Sequence, residues 1–175
     1  MGKSNVRART RRMTMGAMFT ALGVILLWVG AVVEVLDLSL AAIASLLTVL
    51  GVIEYGGAFP WLVWLSTSAL SLLLLPSKFP ALLYLLFAGI YPMVKAIFER
   101  QHYILAWILK LSFFNTGLLV LIAVCTWLLH LPDTGLGFTV AVFAMANVTF
   151  VLYDIALGRL ILLYMFKIRP RIRLW

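Results

Sequence analysis

The chain has 175 residues, of which 65% are hydrophobic and only 11% charged. Soluble domains carry roughly 45–50% apolar and about 25% charged residues, so this composition weighs against every soluble-enzyme class and points to lipid as the solvent. The net charge of +8 is concentrated at the ends, where the cytoplasmic bias of Lys and Arg around membrane spans explains it better than nucleic-acid binding does.

The first twelve residues form a basic segment: Lys3, Arg7, Arg9, Arg11 and Arg12 all precede Met13. A spanning helix needs about 20 apolar residues, range roughly 17–25, and the first is expected near Met13–Val35. Its apolar stretch outruns the roughly 7–15 residues of a signal-peptide core, and no convincing small-x-small cleavage site follows, so it reads as a retained helix. Glu34 and Asp37 bracket the first turn, and a second span follows near Leu38–Tyr55. Gly56, Gly57 and Pro60 punctuate the entry to a third near Phe59–Leu75; both are at the short end of the spanning range. Pro76-Ser77-Lys78-Phe79-Pro80 starts a fourth near Pro80–Phe98, and Glu99-Arg100-Gln101-His102 separates it from a fifth near Ile104–Leu131. Pro132-Asp133-Thr134-Gly135 precedes a sixth near Gly137–Phe166, after which Lys167, Arg169, Arg171 and Arg173 make a basic tail. Proline and glycine mark the places where helices stop or start. The last two helices are long, so they tilt or protrude.

The expected fold is therefore an all-α integral membrane bundle of six transmembrane helices. Residues 1–12 and 167–175 are cytoplasmic segments, and 13–166 form the membrane domain. Lys95 and Arg100 join the basic ends inside, while Glu34, Asp37, Lys78, His130 and Asp133 lie outside. The lone Cys125 permits no intrachain disulfide, and two distant histidines give no support to a zinc site. Nothing in the sequence implies a cofactor.

Polar groups in a bilayer are expensive, so each needs a role. At about 1.5 Å of rise per residue, Glu54, Lys95, Lys110, Asp154 and Arg159 fall at similar depth near the cytoplasmic side. Two acids and three bases there form a structural ion cluster, or else an ion relay or docking surface; confinement to one side argues against a proton-coupled pathway. The outer half carries the candidate ligand contacts Trp28, Tyr84, Trp127, His130 and Asn147. Aromatic residues also serve as interfacial anchors, and a mid-membrane amide such as Asn147 either bonds a neighbouring helix or faces a cavity. Small residues recur four apart at Gly16/Thr20, Ala17/Ala21, Ala41/Ser45, Ala44/Thr48 and Thr67/Ser71, a spacing that lets helices approach closely.

Arg9-Thr10-Arg11-Arg12-Met13-Thr14 leads into Ala17-Met18-Phe19-Thr20-Ala21. With the chain's size, six helices and topology, this resembles the S component of an energy-coupling factor (ECF) transporter. The resemblance spans the whole chain and implies residence in a bacterial plasma membrane. It implies that Ala17 and Ala21 dock on a shared transmembrane coupling subunit, which two cytoplasmic ATPases drive. It also implies capture of a vitamin or similar small molecule in the outer half of the bundle. The chain itself has no Gly-x-x-x-x-Gly-Lys-Ser/Thr loop, and no substrate-specific signature names a ligand; the outer half is poor in hydrogen-bonding groups, which suits an unusual or apolar one.

A second reading is a scaffold of cell-envelope or cell-shape machinery, with the ion cluster as its docking surface and a filled outer half. An open outer cavity discriminates between the two. A membrane enzyme is the least favoured class: Glu54, His102 and Asp154 are its only plausible parts, with no nucleophile–base pair or metal cluster among them.

Overall fold

The computed structural model describes the backbone of residues 3–129 and 136–169, and the side chains of 9–33, 35–124, 140–167 and 169. The described residues are helical, with no strand among them. In order they form α1 (Lys3–Val32), a 3-10 turn (Glu34–Leu36), α2 (Asp37–Glu54), α3 (Phe59–Leu74), α4 (Phe79–Leu83), a wide π turn (Tyr84–Ala88), α5 (Tyr91–Phe98), α6 (Tyr103–Leu129) and α7 (Leu136–Leu163), which closes in a second π turn (Tyr164–Ile168). Among the described residues, five segments are long and apolar enough to cross a membrane: Arg9–Val32, Asp37–Glu54, Phe79–Phe98, Tyr103–Val124 and Val140–Lys167. The chain is thus a multi-pass membrane protein by length and composition. Phe59–Leu74 is apolar but shorter; its 16 residues rise about 24 Å, less than the roughly 30 Å hydrocarbon core.

The bundle has a basic end, where α1 begins and α7 finishes, and a far end, where α2 and α4 begin. Helix α1 packs through glycines spaced seven apart. Gly16 lies against Phe59 and Val63, Gly23 against Thr67 and Leu47, and Gly30 against Asp37 and Leu40. A Cβ on Gly23 would stand 2.9 Å from Thr67 Cγ2, so the backbone of α1 itself forms the contact surface. Thr20, Leu27 and Ala31 complete this buried stripe, while Met18, Leu22, Ile25 and Trp28 point away from the bundle. The turn from α2 to α3 runs through Gly56 and Gly57 at φ of 60° and 56°, left-handed values that side chains with a Cβ disfavour. Leu75 leaves α3 in extended conformation, as a residue preceding proline must when Pro76 crowds its backbone.

The fourth span departs from the continuous helix expected over Pro80–Phe98. It is broken into α4, the π turn and α5. Pro92 has no N–H to offer the carbonyl of Ala88, and its ring crowds that carbonyl, so the ladder widens ahead of it. The Trp64 indole N–H donates to the freed Leu85 carbonyl at 3.1 Å. Gly89 sits in the gap, where any Cβ would meet Trp64 and Tyr84 within 2.8 Å. Two apolar cores result. One joins α1, α2 and α4 around Leu27, Ala41, Ala44 and Ala81. The other joins α2, α5, α6 and α7 around Val49, Tyr91, Phe114, Phe150 and Leu157.

Candidate functional site

A cavity of about 480 Å³ lies between α2, α4, α6 and α7, reaching from the far end toward mid-bundle. Its space comes from small residues on facing helices: Ala42, Ala88, Gly117 and Ala146. Its walls are phenylalanines, Phe79, Phe87, Phe114 and Phe150. Three hydroxyl residues, Ser39, Thr149 and Tyr153, are the polar members of the lining. The opening is sideways: Leu38 on α2 and Leu152 on α7 both line the cavity and are 53% and 63% exposed.

The aromatic rings of the wall pack against one another. Phe114 of α6 stacks on Phe150 of α7 at 4.5 Å, nearly parallel. Phe87 meets both edge-on at 5.1 and 5.6 Å, arrangements that ring quadrupoles favour. Phe87 also stacks on Tyr91 at 5.4 Å. Two polar contacts frame this box. Tyr153 shares a hydrogen bond with Ser45 of α2 at 2.7 Å. Asn115 and Asn147 form a reciprocal amide pair between α6 and α7: each Nδ2 donates to the other's Oδ1, at 3.1 and 3.0 Å. Each Nδ2 also donates within its own helix, to the Leu111 and Phe143 carbonyls.

Toward the basic end, the Tyr91 hydroxyl donates to Asp154, which leads into an ionic quartet. Lys95 donates to the Asp154 carboxylate and, at 3.2 Å, to its backbone carbonyl. Lys110 reaches Asp154 Oδ2 at 3.1 Å and Glu99 Oε1 at 2.9 Å. Lys95 closes the ring on Glu99 at 3.0 Å. Two cations and two anions alternate, so the group is formally neutral. Lys95, Lys110 and Asp154 are all below 5% exposed, while the Glu99 side chain is half exposed. Burial pushes the Glu99 carboxyl up, but hydrogen bonds and charge from Lys110 and Lys95 outweigh it and hold it below its ordinary value. Lys110 also lies 5.4 Å from the Trp107 ring centre. A cleft of about 380 Å³, rimmed by Tyr103 and Arg159, opens onto the quartet.

The sequence-derived sites are redistributed by this geometry. Of the five residues expected to cluster, the fold brings together Lys95, Lys110 and Asp154. Glu54 is not among them: it accepts from Tyr164 at 3.1 Å and pairs with Arg169 at 3.4 Å, beneath α2. Arg159 is exposed on the cleft rim. Similar depth does not bring side chains together when they point around different sides of a bundle. Of the expected ligand contacts, Trp28 is 49% exposed on the outward face of α1. Tyr84 is buried and faces Thr67 and Thr48, away from the cavity. Asn147 is committed to Asn115, the helix-bonding option of its two. His130 and the Trp127 side chain lie outside the described residues. Ala17 and Ala21 are exposed on the outward face of α1. His102 is exposed in the turn before α6, and no three His, Cys, Asp or Glu side chains among the described residues could share a metal ion.

Sequence reasoning missed Glu99, taken as loop punctuation although it lies four residues after Lys95 on a helix end. It also missed the asparagine pair. Asn115 and Asn147 are equally far from Leu131, and Lys110 and Asp154 from Pro132, so a hairpin register about that turn would have found both pairs. The cavity itself left no signal, since alanine, glycine and phenylalanine are ordinary in any apolar helix. The chain matches no protein-family model, and neither a curated protein nor a solved structure is significantly similar to it.

Proposed function

We propose that this chain is the substrate-capture subunit of an ECF-type uptake transporter, with six spans and both termini in the cytoplasm. The observation that carries this reading is the cavity: a filled far half would suit a scaffold, whereas 480 Å³ falls within the roughly 300–1,000 Å³ of small-molecule sites. In this orientation the far end is the outer face, and the cavity lies where an extracellular ligand would be held. The basic ends Arg9, Arg11, Arg12, Lys167 and Arg169 then face the cytoplasm, as the distribution of Lys and Arg requires. The outward-facing Ala17 and Ala21 form a low-relief surface on α1 against which a coupling subunit's helix can approach closely. The ATPases supply the energy, and this chain supplies selectivity.

The test is purification of the tagged protein from its native membrane in mild detergent, with the copurifying proteins identified by mass spectrometry. The expected partners are a multi-span coupling subunit and two ATPases. Ala21→Trp should remove them without altering the elution volume of the chain itself. Recovery of cell-wall or division proteins instead would favour the scaffold.

A further inference from the structure

We infer that the cavity takes an elongated, lipid-like molecule with a single polar head, which enters from the membrane through the gap between α2 and α7. The inference rests on the capture reading and deepens it. Three observations converge. First, among the described residues no charged or amide side chain lines the cavity. A ligand as polar as most water-soluble vitamins would bury donors and acceptors without partners, at about 1–3 kcal/mol for each one.

Second, the hydroxyls present are mostly occupied. Thr149 donates to the Met145 carbonyl at 2.9 Å, and Tyr153 is bonded to Ser45. Ser39, exposed at the far-end rim, is the lining hydroxyl with no protein partner among the described residues. One free hydroxyl at one end matches a ligand with one polar head and an apolar body. Third, the cavity follows the helices. On α7 its lining runs from Ala146 to Ala156, about 15 Å of helix at the usual rise, with the stacked Phe114 and Phe150 along its wall. Its mouth is bounded by Leu38 and Leu152, both exposed where lipid would contact them. A molecule already dissolved in the bilayer reaches such a mouth without crossing water.

The experiment uses the full chain in liposomes and a long-chain fatty alcohol carrying a diazirine near its tail, with crosslinks mapped by mass spectrometry. The expected result is saturable labelling concentrated on Phe114, Gly117 and Tyr153, with little on the outward-facing Met18, Leu62 and Leu73. A Cβ on Gly117 would meet nothing closer than 3.7 Å, so Gly117→Leu and Ala146→Leu can each fill the cavity, and either should cut saturable labelling about tenfold. Even labelling over all outward faces, or labelling unchanged in both folded variants, overturns the inference and marks the probe as annular lipid. Saturable binding of riboflavin or thiamine, lost in the filled variants, overturns it while leaving the capture reading intact. Cavity labelling without copurifying coupling subunit or ATPases keeps the inference and removes the transporter.

Discussion

Helices α1 to α3 and helices α6 to α7 answer the same packing problem in opposite ways. The first group is joined through missing side chains: Gly16, Gly23 and Gly30 let backbones approach until Thr67 touches α1. Little polar bonding is needed, and the Ser68 and Ser71 hydroxyls are buried without hydrogen-bond partners among the described residues. The second group is held by a few strong clasps, the asparagine pair and the Lys110–Asp154 contact, with large rings as spacers. Close approach leaves no room, whereas clasps with spacers leave a cavity. The cavity therefore arises where the helices are tied rather than packed.

The comparison is broken most severely at the quartet. Asp154→Ala leaves Lys95 and Lys110 buried with only Glu99 between them, and removing one partner of a buried ion pair costs about 3–5 kcal/mol. Denaturant unfolding in detergent should show that loss; a change below about 1 kcal/mol would mean that water already screens the group. On the tightly packed side, Gly23→Leu should cost about 1–3 kcal/mol through overpacking, while Ala17→Leu on the outward face leaves the midpoint unmoved. Asn147→Leu should cost roughly 0.6–1.7 kcal/mol, the range for interhelical hydrogen bonds in membranes. The double variant with Asn115→Leu should recover part of this, since neither amide is then left alone. Ser71→Ala is the smallest effect, neutral or stabilising by up to about 1 kcal/mol, because it removes a buried hydroxyl that bonds nothing.

A pH series separates Glu99 from its buried partners. Its carboxyl is held below the ordinary 4.5, so its stabilisation is complete above that pH and is lost as pH falls through the lower folded value. Glu99→Gln should flatten this part of the acid-unfolding curve; an unchanged curve would assign the acid sensitivity to Asp154.

Much of the fold could be read from the sequence, because Gly56-Gly57, Pro76 and Pro80 interrupt apolar runs of nearly spanning length. The break at Gly89 could not, since Pro92 inside an apolar run is compatible with a kink, a wide turn or a continuous helix. Depth along the helices places Glu54, Lys95, Lys110 and Asp154 at one end, but it carries no information about rotation, and Glu54 pairs instead with Tyr164 and Arg169. The cavity is the part least legible in the sequence. Tryptophan and tyrosine drew attention as chemistry-bearing residues, yet the space is made by Ala42, Gly117 and Ala146, whose contribution is the volume they do not fill.

The glycine seam also bears on the order in which the chain assembles. Every neighbour of Gly16, Gly23 and Gly30 lies between Asp37 and Thr67, so the first three helices can close on one another as soon as they leave the ribosome. The other half depends on distant partners: Lys95 with Asp154 across 59 positions, Ser45 with Tyr153 across 108 and Glu54 with Tyr164 across 110. Contacts of such separation form late. The cavity, bounded by α7, exists only after the last helix has been synthesised, so a chain truncated before α7 would retain the α1 surface and lack the cavity.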